Sequence, residues 1–171
     1  MSKKTSILPE HFFNRELSSL EFNWRVLQMA HDKNIPLLER LRFITIVSSN
    51  LDEFFEVRVA GLQQRIALGL SLRTFDALSP TTLFKKIVER ARVIVQEQYR
   101  TLNEDILPAL EKEGIRLLKR NAWSKEQRVW IQEYFNSQVL PVLTPLGLDP
   151  AHPFPNVQNK SLNFIVSVKG K

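Results

Sequence analysis

Apolar residues recur every three or four positions over most of the first 110 residues, the spacing that places them on one face of an α-helix. Ser18 and Glu21 stand in capping-box positions, which predicts a helix over about 17–31. A second helix is predicted to begin at Pro36, a residue suited to a first helical position. The residues expected to point inward are Leu20, Trp24 and Leu27 in the first helix and Leu37, Leu41, Ile44 and Val47 in the second.

The run Ser48-Ser49-Asn50 is predicted to break the second helix, because small polar side chains bond their own backbone and favour caps over helix interiors. A third helix is then predicted from Leu51 to about Gly69, with Asn50 as its cap. Its expected inward residues are Leu51, Phe54, Phe55, Val59 and Leu62. The acidic residues that would fall in its first turn, Asp52, Glu53 and Glu56, are explained by the positive end of the helix dipole rather than by metal binding.

Ser79-Pro80 predicts the start of the longest helix, which Pro108 should kink or end and Gly114 should terminate. Its expected apolar stripe is Phe84, Val88, Ala91, Val95, Tyr99, Leu102, Ile106 and Leu110. Four helices with apolar faces and short connections predict a helical bundle over residues 1–113.

The pattern changes after Gly114. Residues 115–118 could form a short strand, Ser124 and Gln127 predict a capped helix, and residues 161–169 alternate in the manner of a strand. A strand at the end of the chain needs a neighbour to pair with, so we expect the natural protein to continue beyond Lys171. The fold class is thus predicted to be mainly α, with the N-terminal helical bundle (1–113) followed by the truncated start of an α+β domain (114–171).

Composition narrows the possible functions. Hydrophobic residues make up 43% of the chain and cysteine is absent, which fits a packed domain in a reducing compartment. No apolar run is long enough for a membrane span. The net charge of +6 is spread along the chain. Its densest groups, Lys85/Lys86/Arg90/Arg92 and Arg116/Lys119/Arg120, are interleaved with or bordered by glutamates, so we interpret them as solvated helix faces and expect no nucleic-acid partner.

Few residues suggest chemistry. The five glycines form no phosphate-binding loop, and His11, His31 and His152 have no second ligand at metal-binding spacing. We therefore assign no catalytic residue and no metal ligand within this segment. The aromatic residues lie on apolar stripes and are expected in the core rather than under a nucleotide base.

Three blocks of sequence resemble polyphosphate kinases of the first type. Residues 13–23, FNRELSSLEFN, are similar to the family's opening motif, with Ser19 where the family commonly has tryptophan. Residues 36–43 and 48–62, PLLERLRF and SSNLDEFFEVRVAGL, resemble its most distinctive stretch. Residues 143–146, 149–155 and 159–163 are similar to the next domain in the same order.

The resemblance implies an enzyme that transfers the terminal phosphate of ATP to inorganic polyphosphate, reversibly and with Mg²⁺. It implies that residues 1–113 close one side of the ATP pocket, where Asn50 contacts the adenine, and that residues 114–171 begin a head domain used in dimerisation. The histidine that carries phosphate, the Mg²⁺ ligands and the catalytic domains are then expected beyond Lys171, so this segment alone should be inactive. Its partners would be ATP or ADP, polyphosphate and a second copy of the protein. The enzyme would lie in the cytoplasm, where it could associate peripherally with the membrane.

A different class of function stays open at this point. A helical module without catalysis could hold a polyanion or a protein partner through its basic faces.

Overall fold

The computed structural model describes residues 8, 11–70, 76–149, 151, 153–158 and 160–168. The chain divides into two compact units, Met1–Leu117 and Leu118–Lys171. The described part of the first unit is mainly helical, and the described part of the second contains one short α-helix, one π-helical segment, two short 3-10 segments and irregular chain. The predicted mainly α fold with an N-terminal helical bundle is therefore confirmed.

The first helix, α1, spans Arg15–His31 and begins earlier than the sequence pattern predicted. Its cap is Asn14, whose side-chain oxygen accepts hydrogen bonds from the backbone nitrogens of Glu16 and Leu17 at 3.0 and 3.1 Å. Asn is as effective a cap as Ser. Because Asn14 takes this role, Ser18 and Glu21 lie inside the helix, and the predicted capping box does not form.

The second and third predicted helices are one continuous rod. Helix α2 spans Leu37–Glu53, a π-helical segment spans Phe54–Val59, and α3 spans Ala60–Ala67. The predicted break at residues 48–50 is wrong. The end near Gly69 is confirmed: Gly69 has a φ of +66° and the nitrogen of Leu70 donates to the oxygen of Arg65, which together form a glycine C-cap.

The last long rod of the first unit begins as predicted. Ser79 accepts a hydrogen bond from the backbone nitrogen of Thr82 at 3.1 Å, and α4 spans Pro80–Thr101. A second π segment, Leu102–Ile106, leads into α5, Leu107–Lys112. Pro108 therefore does not end the helix. The carbonyl four residues before Pro108, with which a proline ring clashes in a regular α-helix, belongs to this π segment.

Helix α1 packs against both α2 and α4, and α3 packs against α4. The buried apolar residues come from all three rods and form one core: Leu20, Leu27, Ala30, Ile44, Val47, Leu51, Phe54, Val59, Leu62, Leu83, Ile87, Ala91, Ile94, Ile106 and Leu110. The face of α4 that is buried is rotated about the helix axis by roughly one residue from the predicted apolar stripe. Tyr99 of that stripe is 59% exposed, whereas Gln98 beside it is 5% exposed.

Polar bonding explains this error. The amide nitrogen of Gln98 donates to the backbone oxygen of Ile44 at 3.0 Å and to the hydroxyl oxygen of Ser48 at 2.6 Å. Thr101 is also buried and bonds the backbone oxygen of Glu97. Satisfied polar groups can be buried at little cost, so the row that contains them faces the core. The same row contains the buried Leu83, Ile87 and Ile94, but a search that admits only apolar residues finds it interrupted at Gln98 and Thr101.

One buried cation joins three helices. The side chain of Arg40 is 5% exposed, its Nε donates to the backbone oxygen of Ala30 at 2.7 Å, and its guanidinium is paired with Asp105. Lys33 also pairs with Asp105. These two contacts, that to Lys33 foremost, hold the pKa of Asp105 below its usual value. The carboxylate thus ties the C-terminal end of α1 and the start of α2 to the second π segment.

The second unit contains α6, Lys125–Tyr134, which continues into a π segment, Phe135–Val139. Its predicted capping box is confirmed, with Ser124 and Gln127 bonding each other's backbone nitrogens at 2.9 and 3.2 Å. The predicted strands are not formed: residues 115–118 and the described residues 161–168 are irregular. A strand is stable only when its backbone groups pair with another strand, and no described segment offers one.

We predict that residues 1–117 fold on their own, because the core described above is made only of residues from that unit. A chain ending at Leu117 should give a strongly helical circular dichroism spectrum and one cooperative melting transition. Broad melting of that shortened chain, beside a sharp transition of the 171-residue chain, would contradict this.

Asp105→Asn should lower the free energy of unfolding by about 1–3 kcal/mol, because Arg40 is left buried without its counter-charge while Asp105 keeps some contact with water. A carboxyl group with a lowered folded-state pKa stabilises the fold above its unfolded pKa, and this contribution is lost as the pH falls through the folded value. The difference between the wild type and the variant should therefore be constant above about pH 5 and shrink below about pH 4.

Urea titrations at several pH values measure this difference. Asp52→Asn, at an exposed aspartate of α2, is the control and should change stability by less than about 0.5 kcal/mol. An Asp105→Asn penalty that does not shrink in acid would show that the charge of Asp105 contributes nothing.

Candidate functional site

Asn50 lies in the last turn of α2 and is not a helix cap. The helix passes through residues 48–50 because two of these polar side chains find partners on other helices. Ser48 accepts from Gln98 of α4, and the amide nitrogen of Asn50 donates to the side-chain oxygen of Asn23 of α1 at 3.0 Å. These tertiary hydrogen bonds replace the local backbone bonds that make such residues break helices.

The direction of the Asn50 amide follows from a short chain of hydrogen bonds. Asn23 is 3% exposed, and its amide nitrogen donates to the backbone oxygen of Val47 at 3.2 Å. A backbone carbonyl only accepts, so the side-chain oxygen of Asn23 must be the atom that faces Asn50. Asn50 therefore presents its nitrogen to Asn23 and keeps one N–H and its carbonyl oxygen for another partner.

The half-buried Asn50 lines a cleft of about 290 Å³ between α1 and the rod that begins with α2. Its walls combine the two asparagines with apolar side chains: Ser19, Leu20, Phe22, Asn23, Asn50, Leu51, Glu53, Phe54, Val57 and Arg58. The first π segment supplies three of these residues. Single π turns inside α-helices are frequent at functional sites, where they redirect side chains.

Several aromatic residues are exposed, against the expectation that they lie in the core, and Phe22 is the exposed aromatic residue that lines this cleft. Its ring is 56% exposed, and the guanidinium of Arg25 lies 5.8 Å from the ring centroid. Ser19, which stands where the resembling family commonly has tryptophan, lies on the wall of the same cleft. Phe22 and Asn50 thus place an exposed aromatic ring and a polar amide on the same cleft.

The acidic residues near Asn50 were predicted to lie in the first turn of a helix, but they do not. Asp52 and Glu53 close the C-terminal end of α2, and Glu56 lies in the π segment, so the helix-dipole explanation is wrong. Among the described residues, no group of three or more histidine or acidic side chains could hold a metal ion.

Two of the three histidines have structural contacts. His11 Nδ1 accepts a hydrogen bond from the backbone nitrogen of Leu8 at 3.1 Å. His31 Nε2 lies 2.6 Å from the hydroxyl oxygen of Thr101 and 3.2 Å from a carboxylate oxygen of Glu97, which joins α1 to α4. His152 lies outside the described residues.

The first of the predicted basic faces is partly neutralised. Arg90 pairs with both carboxylate oxygens of Glu21 at 2.5 and 2.8 Å and lies over the ring of Trp24 at 4.7 Å. This pairing lowers the pKa of Glu21. Arg116 of the second group lies 3.1 Å from Glu111.

Comparison with known proteins identifies the family. A family model described as the polyphosphate kinase N-terminal domain matches residues 12–118, and the polyphosphate kinase middle domain matches residues 126–171. The chain belongs to the polyphosphate kinase family. The resemblance inferred from its motifs is therefore confirmed.

Several polyphosphate kinases are similar to the chain over most of its length. That of Burkholderia cenocepacia (strain HI2424) is 56% identical over 158 residues, which cover 92% of this chain and 23% of that protein. That of Pseudomonas putida is 49% identical over 159 residues, with coverages of 93% and 22%. The crystal structure of polyphosphate kinase from Porphyromonas gingivalis matches with a TM-score of 0.72 and 31% identity, covering 86% of this chain and 21% of that one. The chain thus spans less than a quarter of the length of these relatives.

Sequence reasoning selected Asn50 but missed Asn23 and Phe22. Asn23 lies between the predicted inward positions Leu20 and Leu27 and is itself buried. A polar residue at such a position was therefore a signal in the sequence that could have identified Asn23. Phe22 lies two positions from both Leu20 and Trp24, so the helix period places it away from the inward face.

We predict that Asn50→Ala is at least as stable as Asn50→Ser, which is the opposite of the order for a cap. Neither side chain reaches Asn23, and inside a helix alanine is favoured over serine by about 0.5 kcal/mol. Thermal unfolding of both variants measures the order. If Asn50→Ser proves clearly more stable, Asn50 is a cap and the continuous α2 is wrong.

Proposed function

We propose that this chain is the N-terminal part of an enzyme that transfers the terminal phosphate of ATP to inorganic polyphosphate, reversibly and with Mg²⁺. Membership of the polyphosphate kinase family supports this reaction. The Mg²⁺ ligands and the histidine that carries phosphate belong to other parts of the protein in this proposal, so residues 1–171 alone are inactive.

The first unit contributes the adenine contact. The observation that carries this is the Asn50 amide, which Asn23 holds in one direction at the wall of an accessible cleft. The second unit begins the head domain and contributes contacts to a second copy or to the catalytic domains. Many of its apolar side chains, such as Trp130 (63% exposed) and Phe164 (78% exposed), are available for such contacts.

The size of the cleft suits a base rather than a whole nucleotide. Its volume of about 290 Å³ lies just below the roughly 300–1,000 Å³ that ligand pockets occupy. The ribose and triphosphate would lie outside this cleft.

The walls of the cleft match the chemistry of adenine. Asn50 offers one N–H donor and one carbonyl acceptor, the pair that asparagine uses to bind a ring nitrogen and the 6-amino group of adenine. The exposed ring of Phe22 offers a surface for stacking, a contact worth about 1–3 kcal/mol per base. Arg58 lies at the same cleft, with its guanidinium 3.6 Å from Glu16.

No described helix has both the length and the apolar composition needed to cross a bilayer. A cytoplasmic enzyme is part of the proposal, since a chain without cysteine needs no oxidising compartment. The competing reading, a helical module that only holds a polyanion or partner, predicts no preference for adenine. Nucleotide kinetics therefore distinguish the two.

In the full-length protein, Asn50→Ala should raise the KM for ATP by about three- to tenfold and change kcat little. The expected factor corresponds to one neutral hydrogen bond of about 0.5–1.5 kcal/mol. The base is remote from the reacting phosphate and binds alike in the ground and transition states, so the loss appears in KM. Steady-state kinetics of polyphosphate synthesis measure it.

Asn103→Ala is the matched control, because Asn103 is an exposed asparagine on the second π segment and does not line the cleft. Its kinetics should equal those of the wild type. An unchanged KM for ATP in Asn50→Ala would remove the adenine contact from the proposal.

A further inference from the structure

We propose that Asn23 is a positioning residue whose hydrogen bond to Asn50 makes the cleft select a 6-amino purine, as in ATP, over a 6-oxo purine, as in GTP. This inference rests on the adenine contact proposed above. It concerns which base that contact accepts, and it assigns the choice to a residue that need not touch the nucleotide.

The selectivity problem arises because an asparagine amide has one donor end and one acceptor end. Adenine presents an amino donor at position 6 and ring-nitrogen acceptors beside it. Guanine presents an acceptor oxygen at position 6, with a donor N–H on one side and an acceptor nitrogen on the other. An amide that can turn by 180° could bind adenine in one orientation and the N–H side of guanine in the other.

Asn23 removes this freedom. Its nitrogen must face the backbone oxygen of Val47, 3.2 Å away, because that oxygen cannot donate. Its oxygen consequently faces Asn50, and only the nitrogen end of the Asn50 amide can bond to it, at 3.0 Å. Turning the Asn50 amide would bring two oxygens together at a residue that is only 3% exposed, where unpaired polar atoms are costly.

A fixed amide discriminates only if the base has a fixed pose. Phe22 and the apolar side chains of Leu51 and Val57 line the same cleft and limit how a flat ring can lie. In the pose where the 6-amino group of adenine donates to the Asn50 oxygen, guanine would set its own oxygen against that oxygen. GTP is then rejected by repulsion between two acceptors rather than by size.

The test compares kcat/KM for ATP and for GTP in the full-length protein. Asn23→Leu has nearly the same size and fills the site while removing both hydrogen bonds. The preference for ATP over GTP should fall on the order of tenfold, within the range of one lost bidentate discrimination. Most of this change should come from a lower KM for GTP relative to the KM for ATP.

Gln98→Leu is the matched control. Gln98 is likewise a buried side-chain amide that donates to a backbone oxygen of α2, that of Ile44, but it bonds Ser48 and not Asn50. It should lower the melting temperature as Asn23→Leu does and leave the ATP-to-GTP preference unchanged. If both variants lower the preference equally, or if Asn23→Leu leaves it at the wild-type value, Asn23 has only a structural role.

Two further variants make every outcome informative. Asn23→Ala replaces Asn23→Leu if leucine prevents folding, and the same fall in preference is expected of it. In an Asn50→Ala background, Asn23→Leu should have no further effect on the preference, because Asn23 acts through Asn50. An additional fall in that background would overturn the inference.

The failure of this inference differs from the failure of the proposed function. If Asn50→Ala raises the KM for ATP but Asn23→Leu keeps full preference, the adenine contact stands and the role of Asn23 is wrong. If Asn50→Ala leaves the KM for ATP unchanged, the adenine contact itself is wrong.

Discussion

The structure of the first unit depends on the hydrogen bonds that side-chain amides make to the backbone of α2. Asn23 donates to the oxygen of Val47 from one side, and Gln98 donates to the oxygen of Ile44 from the other. Each amide has a second partner among residues 48–50, which would otherwise favour a break. Because the polar groups on both sides of α2 have hydrogen-bond partners, α2 continues unbroken. The functional candidate Asn50 therefore lies within a helix instead of at the end of a loop.

A rigid setting has chemical consequences for Asn50. A cap residue uses its side-chain oxygen on its own helix and leaves its nitrogen unbound, whereas the observed Asn50 uses its nitrogen on α1. The group offered to a ligand therefore differs between the two arrangements. The observed one holds the amide in a fixed direction before any ligand arrives, which lowers the ordering cost of binding.

Each of the two π segments contains at least one buried core residue together with a residue that has a different role. The first, Phe54–Val59, directly follows α2 and keeps Phe54 and Val59 in the core while Val57 lines the cleft. The second, Leu102–Ile106, precedes Pro108 and carries Asp105, the carboxylate that binds the buried Arg40.

The sequence by itself determined the helical class of the first unit, the caps at Ser79 and Ser124, the glycine ends at Gly69 and Gly114, and the choice of Asn50 through the family motif. These features are local or motif-based: a cap, a turn glycine and an apolar period depend on residues within a few positions of each other. The start of α1 at Arg15 is also set locally, by the hydrogen bonds that Asn14 accepts from the backbone nitrogens of Glu16 and Leu17, and the prediction missed it by selecting Ser18 as the cap.

Only the tertiary structure decided the features that depend on distant partners. Whether α2 breaks at residues 48–50, and which row of α4 faces the core, depended on Asn23 and Gln98, which lie 24 and 54 positions from the carbonyls they bond. The predicted strands failed for the same reason, since a strand's hydrogen bonds lie entirely on its neighbour. Helices satisfy their backbone internally and could be predicted, whereas buried polar side chains and strands are satisfied by groups that no local pattern reveals.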